Sequence, residues 1–275
     1  MTHKEKQIVL IGLYYYPVKS CGCTSLKVAE IGPRGILHDR EYMLIDPNTN
    51  IFKDQITVPK MALIRPQLEG DGIKLRAEGM PDLYVPIIRK GKLYKTEVHT
   101  RPREGIDQGD EPAEWLSTFL DKHVRLIRMH ENSVSTINPK YGNEQVSYTD
   151  YPFLLISEES HGDLNERLRS NGENPIPMDR FRPNIVVAGT IPYGEDEWGY
   201  IQIEGIKFRT KPCARCSITQ TDQTTGRRYG KEPLRTLLGY RPLNDEGFPF
   251  FGKQLIHEST GRIKLGDEVS VLRYR

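Results

Sequence analysis

Lys211-Pro212-Cys213-Ala214-Arg215-Cys216-Ser217-Ile218-Thr219-Gln220-Thr221-Asp222-Gln223-Thr224-Thr225-Gly226 is the stretch around which the chain is organised. Two cysteines bracket an arginine directly after an alternating run that reads as a strand, and a turn-rich tail follows. A thiol beside a fixed positive charge is poised to be a thiolate, the form that binds metals and attacks electrophiles. The rest of the sequence has to say what that thiolate serves.

At 275 residues the chain makes one large domain or two modest ones, with room for a core that needs no disulfide staples. Apolar content of 37% and charged content of 28% describe a globular protein without bulk disorder. A net charge of +2 carries no general nucleic-acid or membrane signal, so any basic patch must be local. Four cysteines are too few for a disulfide-built secreted scaffold. Lys4 and Lys6 ahead of Ile8 to Tyr16 resemble the start of a signal peptide, but the run is short, rich in tyrosine and lacks a small-residue cleavage pattern. It is also too short to span a membrane. A cytoplasmic location with reduced thiols is expected.

Upstream of the cysteine stretch, the first hundred residues read as short strands. These are Gln7 to Tyr15, Leu26 to Ile31, Glu41 to Ile45, Ile51 to Val58, Ala62 to Gln67, Ile73 to Arg76, Leu83 to Ile88 and Leu93 to His99, with a turn at Gly32-Pro33-Arg34-Gly35. Asp110 to His123 reads as a helix capped by Asp110, with Trp115, Leu116, Phe119 and Leu120 on one face. Val124 to Met129 returns to strand, and His130 to Tyr141 reads as a surface loop. Phe153 to Ile156 leads into a second helix from Ser157, with Glu158 and Glu159 at its positive end and Leu164 and Leu168 inward. Strands are expected at Ile185 to Val187, Gly199 to Phe208, Phe251 to His257, Ile263 to Leu265 and Val269 to Arg273, and a short helix from Glu232 to Gly239. This spacing predicts a mainly β protein with some α, barrel-like rather than alternating βα, divided into residues 1–123 and 124–275.

The cysteines leave three readings open. Cys21 and Cys23 with Cys213 and Cys216 could form a four-thiolate zinc site, although a C-x-C half-site is unusual there. Cys213 and Cys216 could be a redox dithiol, or all four could be small buried residues without chemistry. Lys211 and Arg215 argue for chemistry at the second pair. Lys19 beside Ser20, Arg40 beside Asp39, and Arg182 beside Asn184 would, together with Arg215, suit a ligand bearing phosphate and ring-amide groups. No glycine-rich nucleotide loop is present, so that ligand is not a nucleotide held in one of those folds.

Tyr16-Pro17-Val18-Lys19-Ser20-Cys21 and His38-Asp39-Arg40-Glu41-Tyr42-Met43-Leu44 resemble the amino-terminal signatures of MOSC-type molybdenum proteins. Phe153 to Asn165, Met178 to Val187, Pro212 to Gly226 and Lys231-Glu232-Pro233-Leu234 resemble the MOSC domain itself. Several separated motifs match in order and nearly end to end, and the chain is most similar to the mitochondrial amidoxime-reducing component group and its bacterial relatives. The resemblance implies an amino-terminal β-barrel domain, a MOSC β-barrel and a pyranopterin molybdenum cofactor between them, with Cys216 as the protein's metal ligand. It further implies that Lys19, Ser20, Arg40, Arg182, Asn184, Ala214 and Arg215 hold the pterin and its phosphate, with Asp150 and Tyr151 nearby. Here the chain is one residue shorter between that Asp and Ser157 than the family pattern, and Tyr151 replaces a threonine.

The implied activity is a molybdenum-dependent oxidoreductase acting on N-hydroxylated compounds: amidoximes, hydroxylamines and N-hydroxylated nucleobases. Two electrons and two protons convert the N–OH group to amine or amidine and water. No iron–sulfur, flavin or haem signature is present, so the electrons are expected from a separate flavoprotein, ferredoxin or cytochrome b5-type partner. The membrane anchor of the mitochondrial type is not seen, which favours a soluble prokaryotic version. The alternatives are a molybdenum-cofactor carrier or sulfur-transfer protein without turnover, and a non-enzymatic zinc-stabilised β domain.

Overall fold

The computed structural model describes residues 7–98, 100–228 and 230–275. Lys4, Lys6 and His99, which entered the expectations above, lie outside them. Among the described residues strands dominate, and four sheets form. The largest has eight strands in the order Val269–Tyr274, Trp198–Ile203, Ile206–Ala214, Phe250–His257, Phe153–Ser157, Ile185–Ala188, Val9–Tyr15 and Thr24–Ser25. The first strand of the chain therefore pairs antiparallel with Ile185–Ala188. A four-stranded antiparallel sheet runs Tyr42–Ile45, Arg125–Met129, Arg101–Asp107, Leu93–Val98, and two three-stranded sheets complete the set. Chain order and sheet membership thus interleave across residue 123.

Period-two burial explains the large sheet. Leu10, Leu13, Ile185, Val187, Ile201, Ile203, Phe208 and Leu255 face one apolar interior. A second core joins Tyr42, Leu44, Ile73, Leu75 and Val85 to the helix face of Trp115, Leu116, Phe119 and Leu120. Gly199 to Phe208, expected as one strand, is a hairpin. Glu204 and Gly205 turn the chain at φ 45° and 78°, the left-handed pair that a two-residue turn requires. A bulge interrupts the pairing of Ile206–Ala214 with Phe250–His257 between Pro212 and Ala214, opposite Gly252 at φ 79°. A Cβ on Gly252 would lie 2.7 Å from Leu155 O. Bulges re-aim side chains, and this one sits at Cys213.

Three further local expectations need correction. Ile51 to Val58 is not a strand: Asp54 Oδ1 accepts from Ile56 N, Thr57 N and Thr57 Oγ1 at 3.0, 2.9 and 3.0 Å, so the side chain offers the backbone a turn instead. Pro59–Leu63 is a 3₁₀ turn, and the strand expected from Ala62 begins at Arg65. The helix Asp110–Leu120 is capped by Gly109 rather than by Asp110, whose carboxylate pairs with Arg125 at 2.8 Å. In the second helix, Glu158–Ser170, Ser157 Oγ accepts from Ser160 N at 3.1 Å as expected of an N-cap. Among the described residues no helix is long and apolar enough to cross a membrane.

Candidate functional site

The site forms where four element ends meet. The segment Tyr16 to Lys19, leaving the first strand, lies beside Arg40 to Tyr42: Arg40 N donates to Tyr16 O at 2.7 Å, Tyr42 N to Pro17 O at 3.0 Å and Lys19 N to Tyr42 O at 2.8 Å. Asp39 Oδ1 accepts from Tyr16 N at 2.8 Å and tightens that junction. Arg182 ends the 3₁₀ turn Met178–Phe181, and Cys213 to Cys216 lead from the last two residues of the strand Ile206–Ala214 into the 3₁₀ turn Ser217–Gln220.

A cavity of about 180 Å³ opens among them, lined by Lys19, Ser20, Arg40, Asp150, Tyr151, Arg182 and Arg215 of the expected residues, and also by Thr149, Cys213 and Ile218. Arg40 Nη2 donates to Asn184 Oδ1 at 2.8 Å and its Nε to Asp39 at 2.6 Å. Asn184, fully buried, also accepts from Leu154 N and donates to Tyr14 O, so it supports the cavity from behind rather than lining it. Arg40 and Arg182 both lie over the ring of Tyr16, at 5.8 and 4.3 Å from its centroid. Arg215 is buried, donates to Phe181 O at 2.6 Å and to Cys213 Sγ at 3.2 Å, and its Nε has no hydrogen-bond partner.

Electrostatics mark the cavity as an anion site. Four cations line it against one carboxylate, Asp150, which pairs with Arg101 at 3.7 Å. Burial first, then Arg40 and Arg182, lower the Lys19 pKa to about 8, with Asp150 opposing them. Burial likewise lowers the Arg182 pKa, lifts that of Asp39 even with Arg40 bonded to it, and pushes the Tyr151 phenol up to about 12. Arg40 is already paired with Asp39, whereas Arg215 Nε has no hydrogen-bond partner, and an anion with several acceptor oxygens would offset the remaining charge. The donor set therefore fits a phosphate-bearing ligand.

The cysteines separate. Cys21 is buried in the second core and pushed up to about 12 by burial, the pattern of an inert thiol. Cys213 lines the cavity from its apolar side and packs with Leu154, Phe181 and Phe251. Cys216 is half-buried, and neither it nor Ala214 is among the lining residues. Among the described residues no group of three or more His, Cys, Asp or Glu could hold a metal ion, so the four-thiolate zinc site does not form. A metal here would have to bring most of its ligands with it, as a dithiolene-bound metal does.

Several contributors had no role assigned from the sequence, although Tyr16, Asp39 and Gln223 lie within the quoted motifs: Tyr16 as the platform for two guanidiniums, Asp39 as the partner of Arg40, and Gln55 with Gln223 behind Ser20 and Arg182. Only the adjacency of Asp39 to Arg40 was visible.

The MOSC N-terminal beta barrel domain matches residues 7–123, and the MOSC domain matches residues 127–270. The chain is 34% identical to mitochondrial amidoxime-reducing component 1 of Homo sapiens, covering 98% of this chain and 86% of that protein. It is 33% identical to mitochondrial amidoxime reducing component 2 of Bos taurus, covering 94% of this chain and 81% of that protein. It is also 31% identical to a molybdenum cofactor sulfurase of Danio rerio, covering 91% of this chain but 32% of that longer protein. The chain belongs to the MOSC domain proteins, a family associated with the molybdenum cofactor.

Proposed function

We propose that this protein is a molybdenum-cofactor-dependent reductase of N-hydroxylated compounds, fed with electrons by a separate protein. The observation that carries the reading is the convergence of Lys19, Arg40, Arg182 and Arg215 on one cavity beside the cysteine stretch. The relatives named amidoxime-reducing component, aligned over almost the whole chain, support it. In the proposal the cavity lies between an amino-terminal domain, residues 1–123, and a second domain, residues 124–275.

Lys19, Arg40, Arg182 and Arg215 would hold the anionic end of the cofactor by charge-assisted hydrogen bonds. Ser20, Asn184 and the backbone at Ala214 would serve its polar ring groups, with Asp150 and Tyr151 beside it. Cys216 would be the protein's thiolate ligand to the metal, leaving Cys213 to pack. When bound, the cofactor supplies two-electron redox chemistry at molybdenum. The protein's own share is to fix the ligand set, keep the cavity cationic and present Tyr151, a phenol that stays protonated at neutral pH, at the cavity wall.

Elemental analysis of protein from a cofactor-producing host, combined with turnover of benzamidoxime under a reduced viologen donor, tests this. Close to one molybdenum per chain and benzamidine as product are expected. Zinc without molybdenum would overturn the reading. Molybdenum without turnover would favour a carrier or sulfur-transfer role, for which the sulfurase relative is the supporting observation.

A further inference from the structure

Ser20, Arg40 and Arg182 all line the cavity and all adopt left-handed backbone, at φ 66°, 55° and 59°. That conformation is disfavoured for residues with a Cβ and persists only where the surroundings over-determine it. Arg40 has its anchors in Asp39 and Asn184. The anchors of Ser20 and Arg182 are a different pair of side chains, unused in the proposed chemistry.

Gln55 and Gln223 are buried, at 0% and 5% exposure, and their amides bond reciprocally: Gln55 Nε2 to Gln223 Oε1 at 3.0 Å, and Gln223 Nε2 to Gln55 Oε1 at 2.8 Å. The second proton of Gln55 Nε2 goes to Ser20 O at 2.8 Å, and that of Gln223 Nε2 to Thr221 O at 3.0 Å. Gln223 Oε1 also accepts from Arg182 Nη1 at 3.4 Å. Each glutamine is fixed in turn by its own carbonyl, which accepts from Thr221 Oγ1 for Gln55 and from Arg65 Nη2 for Gln223. One glutamine comes from the turn that Asp54 builds, the other from the tail of the cysteine stretch.

We infer that Gln55 and Gln223 form a clasp that positions Ser20 and Arg182 in the cavity, so that both act as positioning residues for its anionic ligand. Buried primary amides are unfavourable unless every donor and acceptor is used, and a purely cohesive contact between two loops could be apolar. Here two of the three bonds left over from the reciprocal pair reach the two strained cavity residues: a donor to the Ser20 peptide and an acceptor to the Arg182 guanidinium. The clasp also links the placement of Arg182 to that of Ser20, because moving either amide breaks the shared pair. The identity of the ligand rests on the proposed function; the positioning role does not.

The test compares the parent with Gln55→Met, Gln223→Met and the double variant, all from a cofactor-producing host, by urea unfolding, molybdenum content and crystal structure. Each single variant orphans a buried amide and should lose stability, whereas the double variant removes both partners and should recover much of it. Molybdenum retention should not recover: the double variant should hold about tenfold less than the parent, in line with the loss of charge-assisted contacts. Its structure should show Arg182 off the Tyr16 ring or Ser20 out of the left-handed region. The inference is overturned if both residues keep their places in the double variant, or if molybdenum content follows stability across the four proteins. Should the double variant fail to accumulate, the single variants decide: Gln223→Met must displace Arg182, and Gln55→Met must displace Ser20. A parent without molybdenum, alongside displaced residues in the variants, would defeat the cofactor reading and leave the clasp standing.

Discussion

Lys19 is charged at a site that disfavours charge until an anion arrives, and its replacement by methionine should expose this as a lost pH dependence. Its ammonium donates to Tyr148 O at 3.0 Å, and burial first, then Arg40 and Arg182, bring its pKa from 10.5 to about 8. At about 1.4 kcal/mol for each pH unit of displacement, keeping the charge in the folded state below pH 8 costs roughly 3 kcal/mol. Between about pH 8 and 10.5 the unfolded chain holds the proton that the folded chain has released, so stability rises with pH across that window. Integrated from about pH 7.5 to pH 10, the rise attributable to Lys19 is about 2 kcal/mol. Methionine keeps a similar stem and does not titrate, so Lys19→Met should lack this rise. Urea unfolding of both proteins at the two pH values gives the quantity as a difference of differences. Every other titrating group cancels there, including Lys253, also lowered to about 8. Parallel pH profiles for the two proteins would refute the reasoning. The same linkage predicts that inorganic phosphate binds the parent with proton uptake above pH 8, weakening as pH rises, and that the methionine variant loses this dependence.

Other substitutions probe the remaining parts. Cys216→Ala should fold normally and lose benzamidoxime turnover. Cys213→Ala, which removes a buried sulfur from the Leu154, Phe181 and Phe251 cluster, should cost about 1 kcal/mol by urea unfolding and keep most turnover; equal loss of turnover from both would point to a dithiol. Asn184→Ala removes hydrogen bonds to Arg40, Leu154 and Tyr14 at 2.8, 3.2 and 3.1 Å. It should destabilise by roughly 2–4 kcal/mol and release cofactor, read by unfolding and by elemental analysis. Arg182→Ala should lower molybdenum content with little change in stability, and unchanged content would count against the cation cluster.

Sequence legibility followed how local each signal was. The helix Glu158–Ser170 could be read because its cap, its acidic first turn and Leu164 with Leu168 are neighbours along the chain. Arg101–Asp107 passed unnoticed because Arg101, Pro102, Arg103 and Gly105 carry no strand signal. The segment is extended because it is paired on both sides, with Leu93–Val98 and with Arg125–Met129. Ile51 to Val58 failed in the opposite way, its apolar residues masking the turn made by Asp54. For the site, family motifs indicated Lys19, Arg40, Arg182 and Arg215, which line one cavity. Gln55 lies in no motif, and Gln223 lies in the cysteine-stretch motif without an assigned role, since their meaning lies in a contact between segments far apart in the chain.

By itself, then, the sequence determined the β-rich class, most of the strands and the residue types at the cysteine stretch, because burial periodicity and turn chemistry are written over a few neighbouring residues. Only the tertiary structure decided that the first strand joins the sheet of the second half, that Tyr16 carries two guanidiniums, and that Cys213 faces a core while Cys216 stays half-buried. Those outcomes depend on strand pairing, on a bulge opposite Gly252 and on three left-handed residues held by distant side chains. Such non-local contacts become favourable only when the whole chain has folded around them.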